Sequence, residues 1–332
     1  MHARCERGGH ANVFVHVSAS MACNCPPPCV VFSKGWHRFA DANASSSYVS
    51  IRTPTNALSH SFPYSHSINV TGTTFWLRAG TDGLRSHSDV TRLAPWLLRL
   101  GRPFRLMSSD GDVGIVNRTD NAVLQRLLRS PLLLGWWAQN NLIDHPLMHP
   151  LPIGIDLHSG WDSTWPNTTL DRWRAYERVR DAAPPRGRRP LRLFMERFSI
   201  AHGSNYNERK DAWSRCAASA DVQGARMPKL QMLETYARAQ FVLSPRGNGV
   251  DCHRTWDVLA VGAIPVVLRH GPAFDAVFDG QPVLLVRSWA EVCVGNATNA
   301  SLLDGALRRF HSVGAQLDPR RWLGWCERRR SR

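Results

Sequence analysis

Residues 241–267 read FVLSPRGNGVDCHRTWDVLAVGAIPVV. An apolar run ends in the polar, glycine-spaced turn Ser244-Pro245-Arg246-Gly247-Asn248-Gly249, and apolar text resumes from Trp256. Such a pattern is a buried strand that feeds a helix through a loop. The helix is expected over His253–Val261, stopped by Gly262, with AIPVVL (263–268) as the next strand. A loop at a strand's carboxyl end that opens onto a helix N-terminus offers unpaired N–H groups and the positive end of the peptide dipoles, which together favour an anion. Gly247 and Gly249 permit close backbone approach or a positive φ, and Arg246 and Arg254 are placed to clamp phosphate oxygens. Asp257 falls one turn after His253 and Arg254, placed to accept from a ribose hydroxyl. The loop is neither a Walker loop nor the GxGxxG dinucleotide fingerprint. An ordinary glycine-rich turn with a surface arginine is the competing reading of the same residues.

Strand and helix alternate on both sides of this stretch. FWLRA (75–79), FRLMSS (104–109) and LLLGWWAQN (132–140) read as strands, Asp89–Leu100 and Ala122–Leu128 as helices. Pro95 is expected to kink the first helix or to delay its start. HPLPIGIDLHS (149–159) follows, then polar text over 160–190 that ends in Pro184-Pro185-Arg186-Gly187-Arg188-Arg189-Pro190, a hinge or linker by composition. A second alternation begins at LRLFME (191–196), with helices over Asn207–Ala217 and Leu230–Ala239, then FVLS, AIPVVL and PVLLV (282–286), and a trailing helix over Ala300–His311. The fold class is therefore α/β with parallel βαβ units. The expected divisions are an irregular segment 1–70, one domain over 71–185 and a second over 191–332, with a ligand cleft at the strands' carboxyl ends.

The chain has 332 residues, 43% of them apolar and 9% aromatic, which is ample for two buried cores and excludes a disordered chain. Its net charge of +15 is almost all arginine, since only Lys34, Lys210 and Lys229 are lysines. The arginines are spread along the chain apart from Arg328-Arg329-Arg330, so no nucleic-acid partner is expected. N-x-S/T acceptors stand at Asn43, Asn69, Asn117, Asn167, Asn296 and Asn299, where chance supplies about two. With eight cysteines, this excess points to the secretory lumen, in the Golgi or the endoplasmic reticulum. No run approaches 18 apolar residues and the N-terminus lacks a signal layout, so an anchor is expected upstream of this chain. Cys23, Cys25 and Cys29 surround a proline run; their spacing is not a standard zinc knuckle, and disulfides or free thiols are expected.

LSPRGNGVDCHRTWDVLAVGAIPVV resembles the signature of the exostosin-type glycosyltransferases, roughly S-x-R-G, a spacer, R-x-W-E-x-L and G-x-I-P-V-V. Ser244, Arg246, Gly247, Arg254, Trp256, Leu259, Gly262, Ile264, Pro265, Val266 and Val267 match, while Asp257 replaces the family's glutamate. QPVLLVRSWAEV (281–292) and HPLPIGID (149–156) are similar to two further segments of that family, and the resemblance is absent before about residue 70. It implies a GT-B architecture, two facing Rossmann-like domains with parallel sheets, the second holding a nucleotide-diphosphate sugar. The implied reaction moves the sugar to a hydroxyl of a glycan or glycoprotein acceptor. The implied donor contacts are Ser244, Arg246, Gly247, Asn248, Gly249, Arg254 and Asp257, with Arg209 a further candidate for the pyrophosphate. No cofactor or metal ion is expected, because positive side chains and a helix N-terminus carry the diphosphate charge.

Asp110-Gly111-Asp112 follows a strand and is open to three readings. It is a polar loop, or a D-x-D pair holding a metal on the diphosphate, as in a metal-dependent transferase. Alternatively Asp110, or Asp82 after the FWLRA strand, is the base that takes the acceptor's proton. A degenerate member that binds glycan or nucleotide without turnover is the non-enzyme alternative, and the aspartate at 257 is its support.

Overall fold

The computed structural model describes residues 73–79, 89–99, 101–112, 114–115, 122–160, 162–198, 206–222 and 227–323, together with the backbone of two short strands. Asp82, the Cys23–Cys29 cluster and the sequons at Asn69 and Asn117 lie outside the described residues. The two short strands, β1 (Phe14–Val17) and β2 (Ala42–Ser45), pair antiparallel within the segment expected to be irregular. They extend a sheet whose remaining strands are β3 (Thr73–Arg78), β4 (Phe104–Ser109), β5 (Leu133–Gln139) and β6 (Met148–Leu151). The order is β1-β2-β3-β4-β5-β6, and every neighbouring pair from β2 onward is parallel.

Helices α1 (Asp89–Arg99) and α2 (Ala122–Leu128) are the crossovers after β3 and β4. Pro95 sits inside α1, neither delaying nor ending it. A proline there costs about 3 kcal/mol. Val90, Leu93, Ala94 and Leu97 bury one face against Phe75, Leu106 and Trp136, and each large apolar side chain so buried returns about 1.5–3 kcal/mol. Packing outweighs the lost hydrogen bond, and Pro95 itself faces solvent.

The second sheet contains β7 (Leu191–Met195), β8 (Asp221–Val222), β9 (Ala239–Leu243), β10 (Ile264–Leu268) and β11 (Leu284–Val286), all parallel, in the order β11-β10-β9-β7-β8. Its connections carry α4 (Tyr206–Cys216), α5 (Lys229–Arg238), α6 (His253–Ala260) and the short α7 (Pro272–Asp275). Alternate residues go to opposite faces: Phe194 and Val242 enter one core, Leu193, Met195, Phe241 and Leu243 the other. Both faces are covered, which is why these strands read as unbroken apolar runs. The chain then forms a small hairpin, β12 (Cys293–Val294) with β13 (Ala297–Thr298), and α8 (Ala300–Arg309). A Cys216–Cys293 disulfide ties α4 to that hairpin. Among the described residues, no helix is long and apolar enough to cross a membrane.

The structure differs from the sequence reading at the join between the halves. The polar stretch 160–190 contains a 14-residue helix, α3 (Thr169–Ala182), whose Thr168 cap accepts from the Asp171 N–H. With Ile153, Ile155 and Leu157, the α3 residues Ala175, Tyr176 and Val179 enter the same core as Leu233, Tyr236 and Trp256. The cores therefore part near Ile153, not at the Pro184 run. That run is pinned rather than hinge-like. Arg186 donates to the carbonyls of Gly262, Phe310 and Val313, and Arg189 to those of Pro184, Ala239 and Val261. Gly262, at φ +80°, closes α6 in the left-handed conformation that glycine adopts without strain.

Candidate functional site

Numbered from β7, the second sheet runs 2-1-3-4-5. Chain direction across such a sheet reverses between its first and third strands, and the connections leaving them diverge to opposite faces. The crevice at their carboxyl ends is where open α/β sheets hold ligands. Here those ends are Glu196 after β7 and Ser244-Pro245-Arg246 after β9. The quoted loop therefore occupies the switch point.

Its residues fall into two groups. Ser244 is 1% exposed; its Oγ shares a 2.8 Å hydrogen bond with Thr255 Oγ1 and its N–H continues the ladder to the Val266 carbonyl. Ser244 thus anchors the loop to α6. Asp257 is 2% exposed and its carboxylate accepts from Lys229 Nζ at 2.6 Å, from the Tyr176 hydroxyl at 2.6 Å and from the Asp156 N–H at 3.2 Å. The expected ribose contact is corrected by this placement: Asp257 lies under the site, holding α3, α5 and α6 together. A buried ammonium demands a carboxylate partner, and Lys229, 0% exposed, is the reason this position is acidic.

The arginines converge. Arg254 donates to Glu196 Oε2 at 2.9 Å and to the Pro245 carbonyl at 3.0 Å, with its guanidinium 5.5 Å from the centre of the Phe198 ring. Burial opposes its charge, but the Glu196 carboxylate beside it holds its pKa above the ordinary guanidinium value. Burial likewise opposes ionisation of Glu196, and Arg254 together with the Tyr236 hydroxyl, 2.6 Å away, keeps its pKa below the usual carboxylate range. Arg209, on the first turn of α4, lies 6.0 Å from the same Phe198 ring and donates to the Arg246 carbonyl at 3.0 Å. Its pKa is lowered by burial and then by the Arg254 charge, so two guanidiniums press on each other. Arg246 donates its N–H to Glu208 and one terminal nitrogen to the Asn248 carbonyl, while its Nε is buried without a hydrogen-bond partner. Cys252, at the N-cap of α6, accepts no capping hydrogen bond from the helix's first backbone N–H groups. The result is a pair of crowded guanidiniums, Arg209 and Arg254, beside the Arg246 loop and the N-terminus of α6, set against Glu196 and Glu208.

Loops of the first sheet touch the same segment. Asp110 and Asn140, directly after β4 and β5, hold φ of 56° and 55°, the positive-φ residues other than glycine among those described. Gln139 accepts from the Asp110 N–H and donates to the Gly111 carbonyl, which also takes Asn140 Nδ2. Asp112 is exposed, and Asn248 Nδ2 lies 3.5 Å from its carboxylate. Asn140 Oδ1 accepts from the Asp251 N–H, and the Asp251 carboxylate accepts from the Ile153 N–H and from Trp256 Nε1. Gly249 is pressed into this junction: a Cβ there would stand 2.6 Å from the Asn140 side chain and from the Asp112 carbonyl. Close approach rather than a positive φ is what demands glycine.

The sequence candidates Arg209, Arg246, Gly247, Asn248, Gly249 and Arg254 are thus gathered in one place with Asp112 beside them, whereas Ser244 and Asp257 are internal. Sequence reasoning missed Glu196, Glu208, Asn140 and Asp251. Glu196 and Asn140 carry a signal in retrospect, since each is a polar residue directly following an apolar parallel strand. No family model matches the chain, and no curated protein matches its sequence.

Proposed function

We propose that this chain is a glycosyltransferase of the exostosin-like type, with two facing Rossmann-like domains, holding a nucleotide-diphosphate sugar at the switch point of its second sheet. One observation carries the proposal: Arg209 and Arg254 crowd each other beside the loop of Arg246, whose Nε has no hydrogen-bond partner, at a helix N-terminus with no side-chain cap. Like charges held together in a crevice are a standing attraction for an anion, and guanidinium geometry matches phosphate oxygens. The acceptor hydroxyl attacks the anomeric carbon as the bond to the diphosphate oxygen breaks, the electron pair leaving with the diphosphate. Arg246 and Arg209 stabilise that charge, and a carboxylate, for which Asp110 and Asp82 are the candidates, takes the hydroxyl proton. Glycan or glycoprotein acceptors and a lumenal site are supported by the sequons and by the Cys216–Cys293 disulfide, a bond of oxidising compartments.

The test is calorimetric titration with nucleoside diphosphates and nucleotide sugars, comparing the parent with Arg246→Ala. Loss of a charge-assisted contact worth about 1.5–3 kcal/mol weakens binding ten- to more than a hundredfold. Melting curves establish that both are folded. Equal affinity in the two proteins would remove the main support for the transferase. If affinity instead requires Mn²⁺ and is abolished by Asp112→Asn, the charge work belongs to Asp110 and Asp112, and the enzyme is the metal-dependent kind. Binding without sugar transfer or hydrolysis identifies a non-catalytic member.

A further inference from the structure

A second cluster lies on another face of α6, beside the one that carries Arg254. Asp156 and His158, after β6, meet His253, the first residue of α6, with one ligand-type atom from each lying within 4.8 Å of the others. Successive helix residues point about 100° apart: Arg254 turns to Glu196, and His253 turns to the Gly154 carbonyl, 2.7 Å from its Nδ1.

We propose that Asp156, His158 and His253 bind one divalent transition-metal ion, zinc foremost. The assignment is independent of the transferase reading. Two imidazoles and one carboxylate form a donor set of intermediate softness, suited to Zn²⁺, Fe²⁺ or Co²⁺ rather than to Mg²⁺ or Ca²⁺. The outer contacts are those that metal-binding side chains use. A carbonyl can only accept, so the Gly154 carbonyl places the His253 proton on Nδ1 and leaves the Nε2 lone pair as the ligand. The Asp156 carboxylate, 3% exposed, is oriented by the N–H groups of His158 and Ser159 at 3.3 and 3.0 Å. His158 Nδ1 stands 3.3 Å from Asp156 Oδ1, and the two histidine rings are 5.1 Å apart between centres. Tetrahedral ligands at zinc distances are separated by about 3.4 Å, so the three groups must draw together slightly. His158 is 27% exposed, so its ring is not enclosed on every side.

Charge points the same way. The Asp156 backbone N–H donates to the Asp257 carboxylate, which also holds Lys229 as the ammonium of the group. Two carboxylates against one ammonium leave a negative charge that a cation between Asp156 and the imidazoles neutralises. Three protein ligands leave a fourth position for water on the exposed side, as in open zinc sites. Bound there, the ion clips the segment after β6 to the first turn of α6.

The experiment uses the whole chain, stripped with EDTA and dialysed, then titrated with ZnCl₂ by calorimetry and with CoCl₂ by visible absorption. One equivalent should bind, with the Co²⁺ ligand-field bands of a nitrogen–oxygen site. His158→Ala and Asp156→Asn should each weaken zinc binding by more than the 10–100-fold that outer-contact changes cost, and should flatten the Co²⁺ spectrum. If His158→Ala lowers the melting midpoint of the metal-free protein, the volume-keeping His158→Gln is read in its place. Absence of stoichiometric binding by the parent overturns the assignment. So does a His158 variant that keeps both the affinity and the spectrum.

Discussion

Asp257→Glu installs the glutamate of the family that the sequence resembles, and from the sequence it should leave nucleotide binding equal or improved. The structure expects a different outcome. The Asp257 carboxylate fills a closed pocket, with Lys229 Nζ and the Tyr176 hydroxyl both at 2.6 Å and the Asp156 N–H at 3.2 Å. One more methylene in that space costs about 1–3 kcal/mol by overpacking. Affinity per folded molecule should stay unchanged, because the group does not reach the crevice. Asp257→Asn is the sharper change: it keeps the volume but strands a buried ammonium, at about 3–5 kcal/mol. Adding Lys229→Met removes that charge, while the new amide still accepts from Tyr176 and Asp156. The double variant should therefore recover most of the loss, giving a large coupling energy between the two positions. The assay is urea unfolding followed by tryptophan fluorescence, where Trp256, fully buried on α6, reports on this core. If Asp257→Glu is as stable as the parent within about 0.5 kcal/mol, or the double variant is no better than Asp257→Asn, the internal role is refuted.

Burial pushes the Asp251 carboxyl up to about 7, against the N–H groups of Ile153, Trp256 and Cys252 that favour its charge. The folded protein then holds a proton that the unfolded chain releases near pH 4, so this group's stabilisation is complete below pH 4 and is lost as pH rises to 7. The fall amounts to roughly 4 kcal/mol; a stability–pH profile over that interval should flatten in Asp251→Asn, and an unaltered slope would count against it. Arg186→Ala strips donors from three carbonyls, of Gly262, Phe310 and Val313, and should cost about 2–4 kcal/mol in the same unfolding assay. A loss of less than about 1 kcal/mol would return the Pro184–Pro190 run to the status of a loose linker. In a secretory host, Asn167 and Asn296, both exposed, should carry glycans, and Asn299 should not. Asn299 caps α8 through Oδ1 on the Leu302 N–H and donates Nδ2 to the Glu291 carbonyl; glycopeptide mapping that finds Asn299 occupied contradicts that reading.

Local pattern was legible where one period dominates. The strands around Leu106, Trp136, Phe241 and Val266 read directly as apolar runs, because both faces of a parallel sheet are buried. Gly262 was visible as a stop because only a left-handed residue closes the helix there. What escaped was everything fixed by long-range contact. α3 looks polar because it buries only a few residues, Ala175, Tyr176 and Val179 among them, and its partners are α5 and α6, far along the chain. The Pro184–Pro190 run looks like a linker because its arginines bond backbone carbonyls, which no spacing rule anticipates. At the site, Arg209 and Arg246 were legible as charges at a strand–helix junction. Asp257 was not legible as internal, since an aspartate one turn into a helix reads as exposed until Lys229 is seen beneath it.

Gly249 gives the crevice a mechanical character. The loop after β9 and the loops after β4 and β5 are noncovalently joined, and they mesh like gear teeth, with the missing side chain of Gly249 as the gap that receives Asn140 and the Asp112 carbonyl. Even a methyl group at 249 is a wedge driven between the two sheets. Gly249→Ala would force the tooth out of its gap, either tilting the halves apart or pushing Asn140 off its hydrogen bond to Asp251. The same contacts run in reverse: a group that settles against Asn248 bears on Asp112, and the loop after β9 is felt at the loops after β4 and β5.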